Sequence, residues 1–162
     1  MSNSGLFAHF GSKEELQLAT IDTAAVVFDA EVTGPAREAH TAYLRLCTLI
    51  DGYLNHVTGD AFPGGCFFAS VLSEVDLQPG PVRDRMVLFM SDWLALVEAT
   101  IREAQAQGDI RPDEDPGQLT FELEALLFLA NAVYILDRQP IAVERARTAI
   151  DRRLAVAGEG ME

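Results

Sequence analysis

The chain has 162 residues, enough for a domain with its own core. With 49% apolar and 23% charged residues it has an ordinary globular mix, which excludes a chain disordered throughout. Its 25 acidic and 12 basic residues give a net charge of −13, which excludes a broadly basic nucleic-acid surface and disfavours an anionic membrane.

Strand signals are nearly absent, with no sustained alternation and no Asn-Gly turn, so the chain reads as all-α. Ser12-Lys13-Glu14-Glu15 is a capping box that opens a helix predicted to run to about Val32. Thr33-Gly34-Pro35 is expected to break it, with Pro35 as the first residue of the next helix. There Ala39, Tyr43, Leu46, Ile50, Tyr53, Leu54 and Val57 recur at steps of three and four on one face. A connector over 58–65 leads to a short helix from Cys66 to about Val75, stopped by Gln78-Pro79-Gly80-Pro81.

A long helix then carries Val82, Met86, Phe89, Trp93, Val97, Ile101 and Ala104 on one face. After a loop over 108–115, Asp115-Pro116-Gly117-Gln118 supplies a cap and a first-turn proline. The helix from Pro116 to about Asp137 is apolar around nearly its whole circumference between Leu119 and Leu136. Such a helix has to be buried on every side; a chain this small points to a second copy covering part of it, the alternative being the centre of a monomeric bundle. The last helix, Ile141 to about Ala157, puts Val143, Ala146, Ile150 and Leu154 on one side and arginines on the rest. The most apolar run, Ala125 to Leu136, is shorter than the ~20 residues a bilayer crossing needs. With no signal-like segment and no paired cysteine motif, the expectation is a cytoplasmic chain that keeps Cys47 and Cys66 reduced.

Catalytic patterns are lacking. His9, His40 and His56 do not stand at metal-ligand spacing, and no dinucleotide fingerprint, phosphate loop or nucleophile elbow occurs. The chain therefore reads as no enzyme, with no cofactor and no metal. Cys66, after Pro63-Gly64-Gly65, is the residue an enzyme reading would need as nucleophile, but with no partner base near in sequence it reads as a small buried apolar group. An interhelical cavity with a few polar groups suits a small apolar effector. Phe67, Ser70, Phe89, Trp93, Phe121 and Glu124 are its candidate lining, because they set aromatic and polar groups on facing helices.

The segment Ser4-Gly5-Leu6-Phe7-Ala8-His9-Phe10-Gly11-Ser12-Lys13-Glu14-Glu15-Leu16 resembles the stretch that closes the DNA-binding domain of TetR-family transcriptional repressors. Phe62-Pro63-Gly64-Gly65-Cys66-Phe67-Phe68-Ala69 resembles one common subgroup, and the two closing helices match the family's dimer-forming pair in position and length.

The resemblance implies a ligand-responsive repressor. Residues 1–33 would be the end of a helix-turn-helix domain and its linking helix, and 34–162 a ligand-binding and dimerisation domain. Asn3 and Ser4 would face base edges or phosphates, Phe7 and His9 the DNA backbone, and Lys13 a phosphate. Phe7 stands where family members often carry tyrosine, so that hydroxyl contact is lost. The homodimer would form through the 116–137 and 141–157 helices, with operator DNA as partner of the intact protein.

Two helices of the family's DNA-binding domain would precede Met1, and Lys13 is the only lysine or arginine in Met1 to Val32. The chain by itself is therefore expected to bind DNA weakly or not at all. A helical sensor or carrier that never meets DNA fits the same body, as does a purely structural dimer module. Effector, operator and regulated genes are not legible in the residues.

Overall fold

The computed structural model describes residues 11–72 and 79–158, and every regular element in them is helical. Helix α1 spans Lys13–Phe28. Its first turn is closed as the capping box requires, with the Ser12 hydroxyl accepting from the Glu15 N–H at 3.1 Å.

The expected break at Thr33-Gly34-Pro35 does not occur. The backbone widens into a π turn over Asp29–Thr33, where the Gly34 N–H reaches the Asp29 carbonyl, and then continues through Gly34–Ala36. Proline has no N–H to return to the preceding turn, and its ring crowds the carbonyl four residues back. The wider turn ahead of Pro35 gives the ring room. Arg37 stabilises this turn, donating to both Asp29 carboxylate oxygens at 2.7 and 2.9 Å.

Helix α2 accordingly starts at Ala42 rather than Pro35, and runs to Thr58. Thr41 is its cap, accepting from the Leu44 N–H at 3.2 Å, and Ala39 lies ahead of the helix. The predicted face holds otherwise: Leu46, Ile50, Tyr53, Leu54 and Val57 are buried and Tyr43 is half-buried. Gly52 lets the π turn lie directly on α2. A Cβ there would stand 3.1 Å from the Val32 Cα and 3.2 Å from the Glu31 carbonyl oxygen.

Helix α3 spans Phe67–Leu72; the expected end near Val75 lies outside the described residues. Helix α4 spans Pro81–Gln107 and buries Met86, Trp93, Val97, Ile101 and Ala104 of the predicted stripe, together with Thr100. It stops at Gly108, whose φ of +86° is the left-handed region glycine favours. Helix α5 spans Pro116–Asp137, with the Asp115 carboxylate accepting from the Gly117 and Gln118 N–H groups. Helix α6 spans Ile141–Gly158.

Helix α1 packs on α4 and, through its π turn, on α2; α5 packs on α2, α3, α4 and most extensively on α6. Arginines of α6 fasten it to the body. Arg153 bridges Glu114 in the loop before α5 and Glu122 on α5, and Arg147 pairs with Asp51 on α2. The Arg153 guanidinium beside Glu114 holds that carboxyl below its usual range.

Helix α5 buries Leu119, Thr120, Leu123, Leu127, Ala130 and Asn131 against the body. Its opposite side leaves Phe121, Phe128, Leu129 and Leu136 exposed, Leu136 at 82%. The apolar character reaches further than the Ala125–Leu136 run. By length and composition the whole 22-residue helix suffices to cross a membrane, which corrects the expectation of a stretch too short for one. The reason lies at the amino end, where Glu122 and Glu124 are the only charged residues.

Candidate functional site

Phe28, the last residue of α1, sits at the centre of an aromatic cluster. It meets Tyr53 of α2, Phe68 of α3, and Phe89 and Trp93 of α4 edge to face, at centroid distances of 5.2 to 6.3 Å. His56 also packs on Phe28, at 5.5 Å, and its Nδ1 lies 2.5 Å from the Glu31 carboxylate of the π turn. Helix α1 and its π turn are thereby joined to the other helices both by ring packing and by a polar contact.

The cluster encloses a void of about 20 Å³, lined by Phe28, Tyr53, Cys66, Phe68, Phe89, Trp93, Glu124 and Phe128 among others. That is room for about one water molecule. Five helices or their flanks supply this lining, so any change in its contents is felt by all of them.

Phe89, Trp93 and Glu124 of the expected pocket come together here. Phe67, Ser70 and Phe121 are not brought to the void. Phe67 packs at a tilt against Phe62 and edge to face on Phe68, and the Ser70 hydroxyl donates to the Gly64 carbonyl at 2.8 Å. Phe121 is 70% exposed on the outer face of α5. Helical rotation alone explains this, because α5 is apolar all round and its sequence does not reveal which side faces in. Asn3, Ser4, Phe7 and His9 lie outside the described residues. Lys13 is exposed in the first turn of α1, beside Glu14 and Glu15.

Phe28, Tyr53 and Phe68 line the void without having been singled out. Phe28 falls seven residues after Ile21 and four after Ala24, which are the buried positions of α1. That spacing marks it as inward-facing, but not as touching a cavity.

Glu124 is the carboxyl of the site. Burial lifts it from an ordinary 4.5 to about 7, and the neighbouring Trp93 N–H offsets part of that by favouring the ionised form. The two groups adjoin without a well-aligned hydrogen bond, and Trp93 Nε1 and Glu124 Oε1 are both buried with no other partner. Burial raises the Tyr53 hydroxyl and the Cys66 thiol as well, so both stay protonated at neutral pH. A buried, protonated thiol is the opposite of an activated nucleophile. Among the described residues no cluster of histidine, cysteine and carboxylate groups could hold a metal.

A prediction follows from Glu124. The unfolded carboxyl ionises near 4.5 and the folded one near 7, so between these values only the folded state holds the proton. Stability is therefore present below pH ~4.5 and is lost as pH rises towards 7. Glu124→Gln removes that loss. It should stabilise the protein by on the order of 2 kcal/mol at pH 8 and much less at pH 5, read from urea unfolding at both values. Equal effects at the two pH values would contradict the assignment.

Beside the void, a groove of about 250 Å³ runs between α1 and α4. It shares the Phe28, Phe89 and Trp93 walls and adds Asp29, Asp92 and Leu96. Leu126, Leu129, Ala130, Val133, Ala142, Arg145, Ala146 and Ala149 line a second apolar groove between α5 and α6.

Residues 42–150 match the family model described as tetracyclin repressor-like, C-terminal domain. No curated protein matches the sequence. Among solved structures, a TetR transcriptional regulator from Chloroflexus aurantiacus superposes with a TM-score of 0.82 at 21% identity, over 92% of this chain and 75% of its own. AibR, solved with isovaleryl coenzyme A and operator DNA, gives 0.73 at 19% identity over 98% and 81%. FadR from Bacillus subtilis, solved with stearoyl-CoA, gives 0.67 at 13% identity over 100% and 83%. The family match spans two thirds of the chain, and the architecture around it is that of these regulators: the chain belongs to the tetracyclin repressor-like C-terminal domain family and has the fold of TetR transcriptional regulators.

Proposed function

We propose that this protein is a cytoplasmic, ligand-responsive transcriptional repressor that works as a homodimer. The observation that carries the reading is the position of Phe28. It ends the helix whose other end carries Lys13 and the resemblance to a DNA reader, and it walls the interhelical void. An effector seated among the rings displaces Phe28 and shifts α1. In a dimer whose recognition helices must lie ~34–36 Å apart, a small shift spoils operator binding. A coupling of ~1–3 kcal/mol changes operator affinity by roughly 5–150-fold.

The dimer forms through α5 and α6. Support comes from the exposed Leu129, Leu136, Ile141 and Val156, an apolar surface that water would otherwise cover. AibR, solved in complex with isovaleryl coenzyme A and operator DNA, supports the reading as a protein of this fold that takes both kinds of partner. The domain division at 33/34 falls inside continuous helix, which suits transmission by a rigid rod. Asn3, Ser4, Phe7, His9 and Lys13 remain the DNA-facing candidates.

Two experiments test the reading. Sedimentation should give a dimer that Leu129→Arg converts to a monomer; a monomeric parent would overturn the dimer. The dimer fused to a complete helix-turn-helix domain should enrich a two-fold symmetric site from random duplexes. Enrichment of no site would remove the repressor reading.

A further inference from the structure

We propose that the aromatic box around Glu124 receives an ammonium head group, so that the effector is an apolar molecule carrying one organic cation. This rests on the ligand-responsive reading above and names the chemistry of its ligand.

Three observations carry it. First, the void is walled by Phe28, Tyr53, Phe68, Phe89 and Trp93, and aromatic rings attract alkylammonium ions. Second, the box contains one carboxylate, Glu124, whose Oε1 is buried with no partner, and no lysine or arginine lines the void. A buried carboxyl without a counter-ion stays protonated; a cation at van der Waals distance lets it ionise and supplies the missing partner.

Third, the adjoining groove carries the carboxylate of Asp92 and no lysine or arginine in its lining, the charge of Asp29 beside it being matched by Arg37. The apolar body of the ligand lies along this groove over Phe89 and Leu96, and its head group passes Phe89, which is partly exposed, into the box. A void of about 20 Å³ is smaller than such a head group, so Phe89 and the exposed Phe128 must rotate outward on binding. The same charges repel the phosphates of an acyl coenzyme A, the ligand type held by AibR and FadR.

Trp93 is the only tryptophan, so its fluorescence reports on the site directly. The probes are benzyltrimethylammonium and its uncharged isostere neopentylbenzene, titrated into the 162-residue protein. The cation should quench Trp93 and bind at least about tenfold more tightly than the isostere. Glu124→Gln should lower the ratio of cation to isostere affinity towards one. The wild-type comparison needs no variant, so it stands even if Glu124→Gln folds poorly. Equal affinity of the two probes, an unchanged cation affinity in Glu124→Gln, or displacement of the cation by isovaleryl coenzyme A would overturn the proposal. Binding of the isostere alone would leave the ligand-responsive reading intact; binding of neither would sink both.

Discussion

Phe28→Ala is expected to destabilise the protein by about 3–5 kcal/mol, seen as a lower urea midpoint at unchanged slope. Phe28 is 3% exposed and touches rings from α2, α3 and α4 at once. Truncating it removes the transfer energy of a buried ring and also opens a hole that five aromatic neighbours cannot collapse to fill, since Phe68 and Phe89 are already stacked face to face at 3.3 Å. A loss below ~1 kcal/mol would mean that the cluster is not packed this way. Phe28→Leu keeps most of the burial and should cost less, yet it removes the ring through which the void touches α1. In an intact dimeric regulator it should keep DNA binding and weaken the response to effector.

Gly65→Ala should cost about 2–5 kcal/mol. Gly65 has a φ of +73°, in the region where a side chain crowds its own backbone. Its Cβ would also collide with Asn131 Oδ1 on α5. That oxygen is committed, because it accepts from the buried Cys66 N–H at 2.8 Å. Moving it aside strands a backbone donor, which by itself costs ~1–3 kcal/mol. A double-mutant cycle with Asn131→Ala separates the contributions. If the clash dominates, the double variant loses clearly less than the sum of the two single changes; strict additivity would show that the strain lies in the backbone alone. The same contact explains why a polar residue interrupts an apolar helix: Asn131 closes the loop that delivers Cys66 and α3 to the aromatic cluster.

How much of this was legible beforehand differs by element. Helices α4, α5 and α6 lie within a residue or two of their expected ends, because Pro81, Gly108, Asp115 and Pro116 act through local backbone chemistry. Helix α2 starts seven residues after Pro35, the helix start that the sequence suggests, because a π turn and the Arg37–Asp29 pair carry α1 through the proline. The π turn depends on α2 lying against it at Gly52, a contact distant in sequence. The candidate site was half legible. Phe89 and Trp93 could be placed because α4 has one apolar stripe, and Glu124 because a carboxylate on an apolar helix is conspicuous. Phe121 has the same composition around it and faces the other way.

The sequence by itself determined the all-helical class, the helix ends set by caps and prolines, the amphipathic faces and the family resemblance. All of these depend on groups within a few residues of one another, or on a periodicity that one helix displays alone. Tertiary structure decided which side of α5 faces inward, that Phe28 closes the void, that Glu124 is buried enough to hold its proton near neutral pH, and that Asn131 is taken up by Cys66. Each of these depends on the low dielectric and the crowding created when distant segments meet, and no single segment carries that information.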